Sequence, residues 1–146
     1  MGIAIGLGVI PGVPRGAVGG LRSRIWPKEL GRGSRPDLAE VKTSPMQAVS
    51  VATALIGRGL QSDRYVAKVG AFSPRSEKFR HHNLTLIKDK ALDASTLPDG
   101  SHLPPEEARR NILTRGIDLN ALVDRKFRIG SVRAFEQRLC EPCVHL

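Results

Sequence analysis

Hydrophobic and polar positions alternate most clearly near the end of the chain. In RKFRIGSVRAFEQRL, residues 125–139, Phe127 and Ile129 alternate with Lys126 and Arg128. Past Gly130 the parity shifts, so that Val132 and Ala134 alternate with Ser131 and Arg133. Period two marks strand, and a parity change at glycine marks a bulge or tight bend. Phe135 falls out of step with Val132 and Ala134, so the regularity weakens beyond it. NLTLIKDKAL, residues 83–92, predicts a strand with Leu84 and Leu86 on one face and Thr85 and Ile87 on the other, turning helical at about Asp89. PPEEARRNIL, residues 104–113, reads as a helix start: Pro104 and Pro105 fix φ, and Glu106 and Glu107 fall in the positive first turn. MQAVSVATALIG, residues 46–57, fits neither period and predicts a strand or a short helix.

The first part of the chain lacks this texture. Residues 1–36 hold nine of the fifteen glycines and four of the ten prolines, as in GLGVIPGVPRGAVGG. Such a density argues against packed structure. The expectation is a flexible arm over 1–36 followed by one domain over 37–146. IAIGLGVIPG superficially suggests a strand running into a dinucleotide loop, but its glycines fall as GxGxxxG and Pro11 stands where a helix should begin. A loose leader is the better reading. As a targeting signal the segment is also poor, having no basic start ahead of its apolar stretch and no A-x-A site.

Composition narrows the class. At 146 residues the chain is one domain's worth. With aromatics at 4%, the core has to be aliphatic. Short apolar stretches punctuated by turn residues from Glu40 onward point to a mainly β domain. No apolar run approaches the roughly 20 residues a spanning helix needs, so no membrane span is expected. Two cysteines make no disulfide framework, which fits a reducing cytoplasm. The net charge of +9 suits an anionic partner of any kind. Its basic residues are not interleaved with aromatics as a single-strand groove would have them, so nucleic acid is not favoured.

Three places could carry chemistry. Cys140-Glu141-Pro142-Cys143 has C-x-x-C spacing. A structural zinc site needs four ligands, and His145, His102, His81 and His82 do not stand in ribbon or knuckle spacing. A thioredoxin-like pair should open a helix, for which three residues after Cys143 are too few. In GRGLQSDRY, residues 57–65, Gly57 and Gly59 allow a turn whose backbone approaches a ligand. Asp63 beside Arg64 could fix that guanidinium for an oxyanion, or merely close a surface turn. Arg109 and Asn111 could clamp a phosphate, or form a helix face and its cap.

Taken together these blocks resemble a known family. RRNILTRGIDLNALVDRKFRIGSVRAFEQRLCEPCVHL, residues 109–146, is similar to the MOSC domain, named from the C-terminal part of molybdenum cofactor sulfurase. The family pattern runs R-x-N-I, G-x-x-L, F-x-I-G, a strand, then P-C. Upstream, PMQAVSVATALIGRGLQSDRYVAKVGAFS resembles the family's G-L-x-G-D-R-Y block, and NLTLIKDKAL its T-L-I strand with the following acidic helix. In order, the blocks cover about residues 40–146. Ser62 stands where the family usually has Gly, so the turn there is expected to be strained or differently shaped.

The resemblance implies a β-rich, barrel-like fold with a few short helices. The family continues past P-C with a glycine- and arginine-rich segment and closing strands, whereas this chain stops at Leu146, so a sheet with open edges is expected. It also implies binding of a molybdenum cofactor, molybdopterin with its metal. The associated chemistries are sulfur transfer or reduction of N-hydroxylated compounds, and the partners a redox or sulfur-donor protein. Pyridoxal phosphate belongs to a separate sulfurase domain and is not expected here. Pro142-Cys143 falls on the P-C motif, making Cys143 the expected metal ligand or sulfur carrier and Cys140 auxiliary. Arg109, Asn111, Arg64, Asp63 and Gly59 are the expected cofactor-binding residues. The competing reading is a non-enzymatic basic module for nucleic acid or anionic surfaces.

Overall fold

In the computed structural model, alternating Leu84 and Leu86 enter the core while Thr85 and Ile87 face the other way, along a strand that ends at Lys88 and passes directly into a short helix. The structure describes residues 2–6, 22–25, 35–41, 43–70, 73, 83–129 and 132–140. Its strands are β1 (Gly2–Gly6), β2 (Arg22–Ile25), β3 (Arg35–Leu38), β4 (Gln47–Ala48), β5 (Ala52–Leu55), β6 (Gly59–Leu60), β7 (Leu84–Lys88), β8 (Ile112–Thr114), β9 (Lys126–Ile129) and β10 (Val132–Cys140). Among the described residues, one helix, α1 (Asp89–Asp93), and a 3₁₀ turn, Leu119–Leu122, accompany them. The class is mainly β.

Seven strands form one sheet in the order β4-β3-β8-β7-β1-β10-β9, and β2, β5 and β6 form a second. Among the described strands β7 and β8 are the parallel pair, joined by the crossover that holds α1. The described strands do not close into the expected barrel.

The period-two stretch forms a hairpin. β9 and β10 pair antiparallel with Ile129 opposite Val132, so the chain reverses at the predicted bend, more sharply than a bulge within one strand. The register of β10 against β1 slips between Ala4 and Ile5, just past the point where Phe135 falls out of step.

Two expectations are corrected. The supposed arm contains structure: β1 pairs with both β10 and β7, and β2 pairs with β5. Ile3-Ala4-Ile5 is a short apolar unit that satisfies the backbone edges of two longer strands, a local signal lost when glycine is averaged over 36 residues. PPEEARRNIL does not start a helix. Glu107 and Ala108 donate to the Pro104 carbonyl, making one turn. Arg109 then adopts a left-handed φ of 54°, ending the turn and sending the chain into β8. The ambiguous MQAVSVATALIG resolves into two short strands, β4 and β5.

As the composition required, the core is aliphatic. Ala52, Ala54, Leu60, Leu84, Leu86, Ile112, Leu119, Ile129, Val132 and Ala134 form the main cluster. Leu92, Ala108 and Leu113 form a smaller one, with Ile87 and Leu103 packed against it. No helix among the described residues is long and apolar enough to cross a membrane.

Candidate functional site

The turn after β6 and the segment before β8 meet through buried polar groups. Ser62, with φ of 65°, takes the left-handed position in that turn. It delivers Asp63 inward, where the carboxylate accepts from Tyr65 N at 2.9 Å, Ala39 N at 3.4 Å and Asn111 Nδ2 at 3.2 Å. Asn111 Oδ1 accepts from Thr85 N at 3.3 Å and Thr85 Oγ1 at 3.0 Å, while Asn111 N donates to the same hydroxyl at 3.0 Å. The Asn111 carbonyl accepts from Asp37 N at 2.7 Å. Asp63, Asn111 and Thr85 therefore bind three strands, β3, β7 and β8, into one polar joint beside the core.

The arginines lie around this joint. Arg64 Nη2 donates to the Arg109 carbonyl at 3.3 Å, and Nη1 meets Met46 Sδ at 3.4 Å. Arg109 Nη1 donates to the Ser44 carbonyl at 3.3 Å. Burial pulls Arg64 below the ordinary arginine value, the charges of Arg109 and Arg110 add to this, and Asp63 opposes it. An arginine so perturbed still carries its charge at neutral pH. The result is a concentration of positive charge beside Asp63, a carboxylate already committed to backbone and amide donors.

Of these three arginines Arg110 is the least exposed to water. It is only 8% accessible, and it has no hydrogen-bond or ion-pair partner among the described residues. By contrast Arg35, Lys88 and Arg115 meet Asp37, Asp118 and Asp89. A buried cation without a counter-charge is costly. An anion beside Arg64, Arg109 and Arg110 would offset the repulsion that Arg109 and Arg110 exert on Arg64.

Of the residues expected to bind cofactor, Asp63, Arg64, Arg109 and Asn111 come together. Asp63 does not hold the Arg64 guanidinium as anticipated; successive side chains diverge, and the carboxylate turns to Asn111 and backbone. Gly59, with φ of 114°, is where the Asn83 carbonyl approaches: a Cβ would lie 2.9 Å from that oxygen. Its freedom from a side chain thus serves packing between the turn and β7. Cys143, His145, His81 and His82 lie outside the described residues, as does the side chain of Cys140. Among the described residues no three His, Cys, Asp or Glu side chains group as metal ligands.

Sequence reasoning passed over Arg110 and Thr85. The doubled arginine in RRN was a signal for the first, but burial of an arginine is not visible in a sequence. The alternation in NLTLIKDKAL places Thr85 on the face opposite Leu84 and Leu86 but names no partner for its hydroxyl. Compared with protein-family models, with curated proteins and with solved structures, the chain matches none of them.

Proposed function

We propose that this chain binds a molybdenum-pterin cofactor, taking the anionic phosphate of the pterin at Arg64, Arg109 and Arg110. The observation that carries the reading is Arg110, a largely buried arginine with no counter-charge among the described residues, close enough to Arg64 to perturb it. A phosphate group offers oxygens that a guanidinium engages through two parallel hydrogen bonds. The donor set suits an oxyanion. The pterin comes from the resemblance of residues 40–146 to the MOSC pattern.

In this reading Asp63, Asn111 and Thr85 hold the arginine-bearing segments in place. Arg64, Arg109 and Arg110 bind the phosphate. Cys143 would meet the metal or carry terminal sulfur, as soft thiolate suits either. The cofactor, when bound, supplies the sulfur-transfer or N-hydroxyl-reducing chemistry associated with the family.

Replacing Arg109 with Ala tests the site. The pterin retained by purified protein is measured as its fluorescent oxidation product, with circular dichroism as the control for folding. A folded variant that retains less pterin supports the role, and unchanged retention removes it. The competing basic module rests on charge alone, and salt-dependent retention on random DNA without pterin or molybdenum would favour it.

A further inference from the structure

The hairpin at the end of the large sheet carries charge that the anion site does not use. β9 is the terminal strand, paired on one side with β10 and on the other with nothing among the described residues. Lys126, Arg128 and Arg133 are exposed, and none of them is in an ion pair with a described residue. Arg128 and Arg133 are direct cross-strand partners. Like charges placed opposite each other oppose strand pairing, and their presence calls for an anionic neighbour.

We infer that the open edge of β9 takes an extended acidic protein segment as an added strand. A strand edge presents backbone donors and acceptors suited to another peptide chain. Alternate residues of an added strand fall on one face, about 7 Å apart, the spacing at which Lys126 and Arg128 stand along β9. Carboxylates at alternate positions would face these two cations, and the overall charge of +9 would speed the encounter. A second copy of β9 would bring cations against cations and is disfavoured. A nucleic acid would use the charge but leave the strand edge unfilled.

The test uses the full chain and a fluorescein-labelled peptide of alternating glutamate and threonine, long enough to span β9. Binding is read by fluorescence anisotropy, and edge pairing by amide hydrogen exchange at residues 126–129. The expected result is saturable binding that slows exchange at those amides. Affinity should fall as salt rises from about 0.05 to about 0.5 M, where screening shortens the reach of exposed charge. Exposed pairs are individually weak, so the double variant Lys126→Glu/Arg128→Glu should bind about tenfold less tightly or worse. Binding without protection of residues 126–129 would overturn the inference. So would the absence of binding, an unaffected double variant, or an oligonucleotide of equal charge binding while the peptide does not. Wild-type exchange and competition carry the test even where the double variant folds poorly. Arg109→Ala should leave peptide binding unchanged, which separates this surface from the anion site.

Discussion

Arg110→Met removes a charge while keeping an unbranched, flexible side chain in its place. Arg110 is 8% exposed and has no counter-charge among the described residues, so most of its side chain is held out of water without an ion pair among them. Replacing a buried ion pair by apolar residues of similar volume is often neutral or stabilising by about 1–4 kcal/mol. The remaining contact with water places Arg110→Met at the low end of that range, at least as stable as the wild type and by up to about 2 kcal/mol more so. In a chain of 146 residues each kcal/mol moves Tm by about 2–4 °C. The same change should remove anion binding. Inorganic phosphate or pyrophosphate at about a hundred times its Kd would stabilise the wild type by about 2.7 kcal/mol. Differential scanning calorimetry with and without the anion reads both effects: the variant melts no lower than the wild type without anion, and only the wild type shifts when it is added. A variant less stable than wild type by about 1 kcal/mol would assign Arg110 a structural role. A variant still stabilised by phosphate would place the anion elsewhere.

Asn111→Ala deletes the amide that joins Thr85 to the buried Asp63 carboxylate, and should lower the urea midpoint at unchanged m by an amount equivalent to about 2–4 kcal/mol; a loss below about 0.5 kcal/mol would contradict the joint. Asp37 is buried, and desolvation raises its carboxyl above the usual value of 3.8 despite the opposing Arg35. A raised folded pKa means the native state binds this proton more tightly than the unfolded chain does. Its stabilising contribution is therefore present below pH 3.8 and is lost as pH rises through the raised value. Asp37→Asn should accordingly gain stability over the wild type at neutral pH, with the gain shrinking toward pH 3.8 in urea titrations. Cys143→Ser should lose bound molybdenum or persulfide, measured by metal analysis and persulfide labelling, while Cys140→Ser keeps most of it; equal loss would indicate a C-x-x-C pair.

Where the fold was legible, a short alternating segment stood alone between polar residues. β7 and the β9–β10 hairpin are of this kind, and the passage from Lys88 into α1 follows the change of period at Asp89. Where it was not, one local feature overrode the average. β1 centres on a three-residue apolar unit between Gly2 and Gly6, stabilised by neighbours remote in sequence, and glycine content alone conceals it. The helix anticipated after Pro104 fails at Arg109, whose left-handed backbone serves the approach to β8. The polar site was half legible. Asp63, Arg64, Arg109 and Asn111 were all singled out, and they do converge. Their division of labour was not, because the direction of Asp63 depends on Asn111, 48 positions away. Arg110 remained hidden because its character comes from burial, which depends on the whole fold.

The most direct test of the anion-site account is the molybdenum and pterin content of the full chain purified from a host supplied with molybdate. Inductively coupled plasma mass spectrometry gives the metal, and fluorescence of the oxidised pterin gives the organic part. The account predicts both in equal amounts in the wild type and a parallel loss of both in Arg110→Met that remains folded. Wild-type protein containing neither, or equal content in wild type and Arg110→Met, would contradict it.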